Sequence, residues 1–358
     1  MNRHAVTPYG RGAGSSRVRV FSWLDRTGFS IRPHSYLSRH DADPRGLVRR
    51  PGALVRAEAG LRSVASSRPD WLLLHREASP LSRGGLERRL LSCAAFAVYD
   101  LDDALYADVG EGKPWRRAFP KAPKAVAAAQ MADRVVAGNA ILADWASGVA
   151  RDVTVVPSCV DVAAYRAKTS YAAADPPRLV WIGSADNEVL LAGIAGPLSE
   201  LHRRHGTRLT LIGTTARSLG ALETMIDRVP WSESAQHKAL ARGDVGLMPL
   251  DDDPYSRGKC GYKLLQYAAA GLPAVASPVG TNAAILNTLG LPAARNDAEW
   301  LDALTTVIEL APADRAALGR RARQKTETHF SYAAWLPRWE QAVGLTEPAT
   351  RPDPRVVR

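Results

Sequence analysis

Cysteine is scarce in this chain: three in 358 residues, at Cys93, Cys159 and Cys260. They are odd in number, far apart and outside any C-x-x-C spacing. A disulfide framework is excluded on that count, and a structural zinc site is disfavoured. Buried or neutral thiols in a reducing compartment are the expectation. Aromatic residues make up only 7% of the chain, and neither an RNP-like aromatic motif nor a zinc finger accompanies the basic residues. No uninterrupted apolar run approaches the length that spans a bilayer. Met1 to Arg19 contains no apolar core of a secretory signal, so the sequence reads as cytoplasmic.

Positive charge and apolar surface are abundant. The formal net charge is +11, and 46% of residues are hydrophobic. The arginines are dispersed, with doublets at Arg49–Arg50, Arg88–Arg89 and Arg320–Arg321 in place of long basic blocks. Nucleic acid is therefore not expected as a partner. An anionic small-molecule ligand, or weak contact with a membrane surface, suits this charge. The apolar content supplies cores for two ordinary α/β domains.

Short apolar runs recur in the C-terminal half: 178–183 (R-L-V-W-I-G), 208–213 (R-L-T-L-I-G), 244–250 (D-V-G-L-M-P-L) and 273–277 (P-A-V-A-S). Helix-like spacing lies between them, over 187–205, 215–226, 232–242 and 262–270. Such alternation predicts parallel strands covered on both faces, a doubly wound domain. The N-terminal half repeats the theme, with strands expected at 71–75, 96–100, 134–137 and 153–157 and helices at 85–93, 119–132 and 139–147. The run 18–24 reads as strand or helix; a serine N-cap and Gly28 as a stop favour helix. Residues 163–177, rich in Ala and Pro, read as a linker, and 346–358 as a disordered tail. The division expected is 1–168 and 169–329, with a last helix over 330–345 crossing back to the first domain.

The segment Arg257 to Gln266 (R-G-K-C-G-Y-K-L-L-Q) carries the chemistry. A Gly–Lys–Cys–Gly loop runs straight into a helix that stops at Gly271. Helix N-terminal N–H groups lack internal partners and favour an anion. Gly258 and Gly261 permit close backbone approach, Lys259 and Lys263 add charge, and Gln266 shares a face with Lys263 one turn on. A diphosphate at the helix start and a ribose one turn along suit this arrangement; solvated lysines beside a glycine-rich loop are the plainer alternative.

The whole run from Asp244 to Asn282 resembles the donor-binding region of glycosyltransferase family 4. The resemblance extends to W-I-G-S at 181–184, L-T-L-I-G at 209–213, V-P-W at 229–231, V-Y-D-L-D-D at 98–103, A-G-N at 137–139 and V-V-P-S-C-V-D at 155–161. It implies the GT-B architecture: two Rossmann-like, doubly wound α/β domains facing across a cleft. It further implies retaining, metal-independent transfer from a nucleoside diphosphate sugar, used as co-substrate with no resident cofactor, to a glycan or small-molecule acceptor. By the resemblance, Gly183 and Ser184 face the diphosphate, and Trp231 lies beside the base. Lys259, Cys260, Gly261, Tyr262 and Lys263 surround sugar and phosphates, and Gln266 holds the ribose. Two family glutamates are replaced, by Gly258 and Gln266. The Arg/Lys pair that many members carry after W-I-G-S is missing, and Lys259 and Lys263 stand in for it.

In the first half, Asp100-Leu101-Asp102-Asp103 follows an apolar strand. Three readings compete: a metal-binding D-x-D motif, a phosphatase nucleophile of the haloacid dehalogenase type, and an acceptor-side loop at the carboxyl ends of the strands. The donor segment favours the third, since neither rival accounts for 257–282. Asp102 or Asp103 then orients an acceptor hydroxyl or takes its proton, with Lys259 as the third catalytic candidate. Ser16 and Arg17, after the glycine-rich stretch 10–14, and His75 and Arg76, at a strand end, complete the expected acceptor side.

Overall fold

The computed structural model describes residues 1–37, 51–109, 114–213 and 218–345. The chain divides into two units: Met1–Val156 together with the segment from Trp335 onward, and Pro157–Ala334.

The first unit holds six strands: β1 (Arg3–Tyr9), β2 (Arg32–Leu37), β3 (Trp71–His75), β4 (Ala97–Leu101), β5 (Arg134–Ala137) and β6 (Val153–Val155). They form one parallel sheet in the order β2-β1-β3-β4-β5-β6. Every residue of β3 and β4 is buried, as expected of parallel strands covered on both faces. β1 and β2 are not evident from the sequence pattern. Arg3, His4, Thr7 and Pro8 interrupt the apolar run of β1. β2 carries Pro33, which an edge strand tolerates because no ladder bond is lost on its open side.

Between β1 and β2 the chain is helical from Gly14 to Leu24, with a π-type turn over Arg17–Phe21. The expected helix is present, but no serine caps it. Ala13 stands at the N-cap without a side-chain bond, because Ser15 turns to His75 and Ser16 is buried.

The helix Tyr332–Ala342 delivers Trp339 into the first unit. Its ring stacks on Trp23 at 5.2 Å and 4°, and both indoles are fully buried. Just beyond, the Val343 carbonyl accepts from Trp71 Nε1 at 2.6 Å.

The second unit holds β7 (Arg178–Ile182), β8 (Arg208–Ile212), β9 (Ile226–Val229), β10 (Val245–Met248) and β11 (Ala274–Ala276). All are parallel, in the order β11-β10-β7-β8-β9. One face packs on Leu264, Leu265, Ala268 and Ile285, the other on Leu198, Leu201, Trp300 and Leu304. The helix expected at 187–205 is split, a 3-10 stretch over Ala185–Ile194 followed by α-helix over Ala195–His205. The helix expected at 215–226 falls partly outside the described residues; the described part is a short 3-10 turn, Gly220–Thr224, and the start of β9. As an edge strand with Asp227 and Arg228 in it, β9 has no apolar run to betray it.

Residues 163–177 do not behave as a linker. Tyr165 and Tyr171 are buried in the second unit. Tyr171 Oη donates to the Gly271 carbonyl at 2.9 Å, and Lys168 Nζ donates to the carbonyls of Ala241 and Gly243. The stretch 346–358 lies outside the described residues. No described helix is long and apolar enough to cross a membrane.

Removing the Trp339 side chain deletes a fully buried indole and leaves Trp23 without its stacking partner. Trp339→Ala is expected to destabilise the first unit by ~3–5 kcal/mol, read as a lower urea midpoint by circular dichroism. An unchanged midpoint would show that this segment does not anchor the unit.

Candidate functional site

In the second unit the expected donor residues gather at the carboxyl end of the sheet. Gly183 comes directly after β7, and its N–H donates to the Ile212 carbonyl at 3.1 Å. A Cβ at Gly183 would collide with the Trp181 indole, so the backbone itself lies on the ring, as only glycine permits. Lys263 Nζ sits 5.2 Å from the centroid of that same indole, within cation–π range. Trp181, in sequence merely a strand residue, thus brings the Gly183 loop and Lys263 together.

The helix Tyr262–Ala269 begins at Gly261, in the left-handed region with φ 64° and ψ 18°, and no side chain caps it. A Cβ on Gly261 would strike the Ile285 side chain. The preceding turn, Pro254–Arg257, is capped by Asp253, whose Oδ1 accepts from the N–H groups of Tyr255 (2.8 Å) and Ser256 (3.1 Å). Lys259 Nζ lies 4.7 Å from the Tyr255 ring centroid. Gly280, at φ 54° and ψ −129°, passes so close to the Arg257 carbonyl that no side chain would fit. Cys260 is buried, Tyr262 half-buried and Ser184 exposed, its Oγ accepting from Asn187 Nδ2 at 2.8 Å.

Gln266 is buried, and its Nε2 donates to Tyr165 Oη at 3.0 Å. Gln236 Nε2 donates to the same hydroxyl at 3.2 Å, while its Oε1 accepts from Trp231 Nε1 at 3.2 Å. Trp231 and Gln266, expected at base and ribose, are therefore joined through Gln236 and Tyr165. Neither connecting residue is among the sequence candidates. Tyr165 is hidden in the expected linker.

In the first unit three neighbouring strands bring polar groups together at their carboxyl ends. His75 ends β3, and its Nδ1 lies 2.7 Å from Asp100 Oδ2 on β4. Its Nε2 lies 2.6 Å from Ser15 Oγ, in the segment after β1. Arg19, from the same helical segment, grips Asp100 twice, Nη2 at 2.6 Å and Nε at 3.2 Å, and donates to the Val156 carbonyl at 2.8 Å. Arg19, His75 and Asp100 are all at most 1% exposed. Ser15, Arg19 and Asp100 are absent from the site residues expected of the sequence. The available signal is a glycine-rich turn after a strand, with His and Asp at neighbouring strand ends, and it is lost when β1 itself goes unrecognised.

Arg76 adopts φ 59°, unusual for a residue with a side chain. Its N–H donates to the Asp100 carbonyl and its own carbonyl accepts from Tyr99 Oη, each at 3.0 Å. That backbone turns the guanidinium onto Asp102, with Nε to Oδ1 at 2.5 Å and Nη2 to Oδ2 at 3.1 Å, and onto Asp103. Burial pushes the Asp102 carboxyl up, but the Arg76 charge, with help from His75 and Arg19, outweighs it and holds the carboxyl well below the usual range. A carboxylate held this way is a poor proton acceptor and a good orienting group. Ser16 is fully buried, and among the described residues its Oγ has no hydrogen-bond partner; Ser15, one position earlier, is half-buried and bonded to His75. Arg17 is half-buried on the same segment. Among the described residues no group of three or more His, Cys, Asp or Glu side chains is placed to hold a metal ion.

Residues 176–309 match the family model described as glycosyl transferases group 1. No curated protein matches the sequence. Among solved structures the chain is similar to HepE of Anabaena, solved in complex with UDP and glucose. The TM-score is 0.66 at 12% identity, covering 97% of this chain and 100% of that one. It is also similar to WaaG, a glycosyltransferase involved in lipopolysaccharide biosynthesis (TM-score 0.67, 15% identity, 97% and 100% covered). A third is an α,α-trehalose-phosphate synthase (UDP-forming) from Burkholderia vietnamiensis (TM-score 0.63, 14% identity, 98% of each chain covered). These likenesses give the fold, two Rossmann-like parallel-sheet domains of the GT-B architecture. The matched domain at 176–309 is that of a glycosyltransferase.

The Arg76–Asp102 pair has a direct pH consequence. The folded-state carboxyl binds its proton below the unfolded value of about 3.9. Its contribution to stability is therefore present above about pH 4 and is lost as the pH falls through the folded value. In Arg76→Gln the counter-charge is gone, so the acid-unfolding midpoint is expected to move to higher pH, measured by circular dichroism between neutral pH and strong acid. Coincident midpoints would mean that Arg76 does not hold Asp102 ionised.

Proposed function

We propose that the protein is a retaining, metal-independent glycosyltransferase that moves a sugar from a nucleoside diphosphate sugar to a hydroxyl or amine of a glycan, lipid-linked sugar or small molecule. The observation that carries the reading is the start of the helix Tyr262–Ala269. It is uncapped, preceded by left-handed Gly261, and has Lys263 above the indole on which the Gly183 backbone rests. Helix-terminal N–H groups and an ammonium meet a diphosphate where charge develops as the glycosidic bond breaks. Lys259 adds a second cation to the same loop.

The buried amides beside Tyr165 suit a ribose and base. Gln266 offers hydrogen bonds to hydroxyls, and Trp231 is fixed by Gln236. That HepE was captured with UDP and glucose supports a nucleoside diphosphate sugar as donor. No carboxylate stands ready as a nucleophile in this reading. Asp102 and Asp103 orient groups through Arg76, and the departing phosphate oxygen takes the acceptor proton, which accords with retention. The donor is a co-substrate and no resident cofactor is invoked.

The test is a thermal-shift screen with UDP, GDP, ADP and dTDP, with and without EDTA. A diphosphate at about 100 times its Kd stabilises the folded state by about 2.7 kcal/mol. A shift with one base, indifferent to EDTA and lost in Lys263→Ala, is the expected result. No shift with any nucleotide would sink the donor site, and a shift that requires metal would overturn metal independence.

A further inference from the structure

Tyr165 is held along its whole length. Arg323, in the helix Pro312–Phe330, donates through Nη1 to the carbonyls of Tyr165 (3.1 Å) and Ala269, and through Nη2 to the Val162 carbonyl at 3.1 Å. One guanidinium thus ties the turn 162–165 to the end of the helix Tyr262–Ala269, which carries Gln266. The Tyr165 ring is packed edge-on by His237, at 5.2 Å and 60°. Its hydroxyl meets two buried amides. Trp231 Nε1 carries a hydrogen and is a donor only, so the Gln236 atom 3.2 Å from it is the amide oxygen. Gln236 Nε2 therefore turns to Tyr165 Oη and donates to it at 3.2 Å. Gln266 Nε2 donates to the same oxygen at 3.0 Å. Gln236, Gln266 and Tyr165 are all buried.

A phenolic oxygen accepts as well as donates, and both amides use it as an acceptor. Gln266 is thereby turned with its nitrogen toward Tyr165. Its Oε1 accepts no hydrogen bond among the described residues, and the unpartnered side-chain atoms that are sealed from solvent all lie elsewhere. An acceptor on a side chain fixed at its other end suits one hydroxyl in one position. We infer that Tyr165 is a positioning residue for donor selection: by anchoring Gln266 Nε2 it aims Oε1 at a ribose hydroxyl, so that the site distinguishes a ribonucleotide from its deoxy form. Gln236 supports the same hydroxyl and links it to Trp231, the residue expected beside the base. An amide at 266, where the family resemblance implies a glutamate, is matched to Tyr165, because a carboxylate brings no N–H to the phenolic oxygen. Calling the ligand a ribose rests on the donor reading above; the hydrogen bonds do not.

The experiment measures binding to the full chain by calorimetry, with UDP, GDP, ADP and ribothymidine diphosphate, and with the 2′-deoxy and 3′-deoxy forms of whichever binds best. The wild type is expected to bind the ribonucleotide about tenfold more tightly than at least one deoxy form, the worth of one well-made hydrogen bond. In Tyr165→Phe, which keeps the ring against His237, that ratio is expected to fall to about twofold or less, while the deoxy form binds as it does to the wild type. A general loosening of the unit would weaken both forms alike. In a Gln266→Leu background Tyr165→Phe is expected to have no further effect, since it acts through Gln266. Gln236→Leu removes the second amide from the same hydroxyl. It is expected to lower the ratio in the same direction, and it takes the place of Tyr165→Phe if that variant does not fold. A wild type without preference for the ribonucleotide overturns the inference. So does a preference that survives in Tyr165→Phe, an equal loss for both forms, or an undiminished effect in the Gln266→Leu background. Each of those outcomes leaves the donor reading standing, because the nucleotide binds. No binding of any diphosphate to the wild type sinks the donor reading and this inference with it.

Discussion

The Asp100 carboxylate sits at the end of β4 with almost no access to water, and three N–H groups converge on it, two from Arg19 and one from His75. A buried carboxylate is strongly destabilising unless it is paired and hydrogen-bonded. That requirement ties together the helical segment after β1, the end of β3 and the end of β4, which are successive neighbours in the sheet. Arg19 extends the tie to the Val156 carbonyl at the end of β6. The orientation of the His75 ring, and with it the Ser15–His75 contact beside the glycine-rich turn, follows from satisfying one charge. Arg76 performs a similar office for Asp102 and Asp103, at the cost of a left-handed backbone.

The second unit is organised by apolar contact instead. Trp181 is a strand residue, yet the edge of its indole is the floor on which the Gly183 backbone lies and over which Lys263 extends. Two loops from different strand–helix junctions are thereby held at a common level. Glycine at 183, 261 and 280 is what allows the backbone of each loop to come so near its neighbour, through lack of a side chain at the first and through left-handed or otherwise restricted backbone at the other two. Their shared origin is close packing at the carboxyl ends of parallel strands, the usual place for a ligand in open α/β sheets.

How much of this is legible in the sequence depends on whether the signal is local. β3, β4, β7, β8 and β10 are short apolar runs and can be read directly. β1, β2 and β9 carry charged, histidine or proline residues, and cannot. The donor segment is legible because its loop, helix and lysines are contiguous. Ser15, His75 and Asp100 are separated by 60 and 25 residues, and only the strand order brings them together. Ser16, with Arg17, is the residue expected after the glycine-rich stretch, but a one-residue step on a helix turns a side chain by about 100°, here from the half-buried Ser15 bonded to His75 to the fully buried Ser16. Tyr165 is invisible because Ala- and Pro-rich composition looks alike in a linker and in a packed crossing segment.

The first unit is made from both ends of the chain, with Pro157–Ala334 inserted between them. During synthesis the sheet of the first unit can form early, but the indole that stacks on Trp23 is Trp339, on the far side of the inserted unit. At about 5–20 residues per second, Trp23 waits for its partner until the whole inserted unit has been made. The nascent chain therefore passes through a long interval in which the Trp23 indole lacks the ring that stacks on it, and the first unit is completed only after the inserted one has been synthesised.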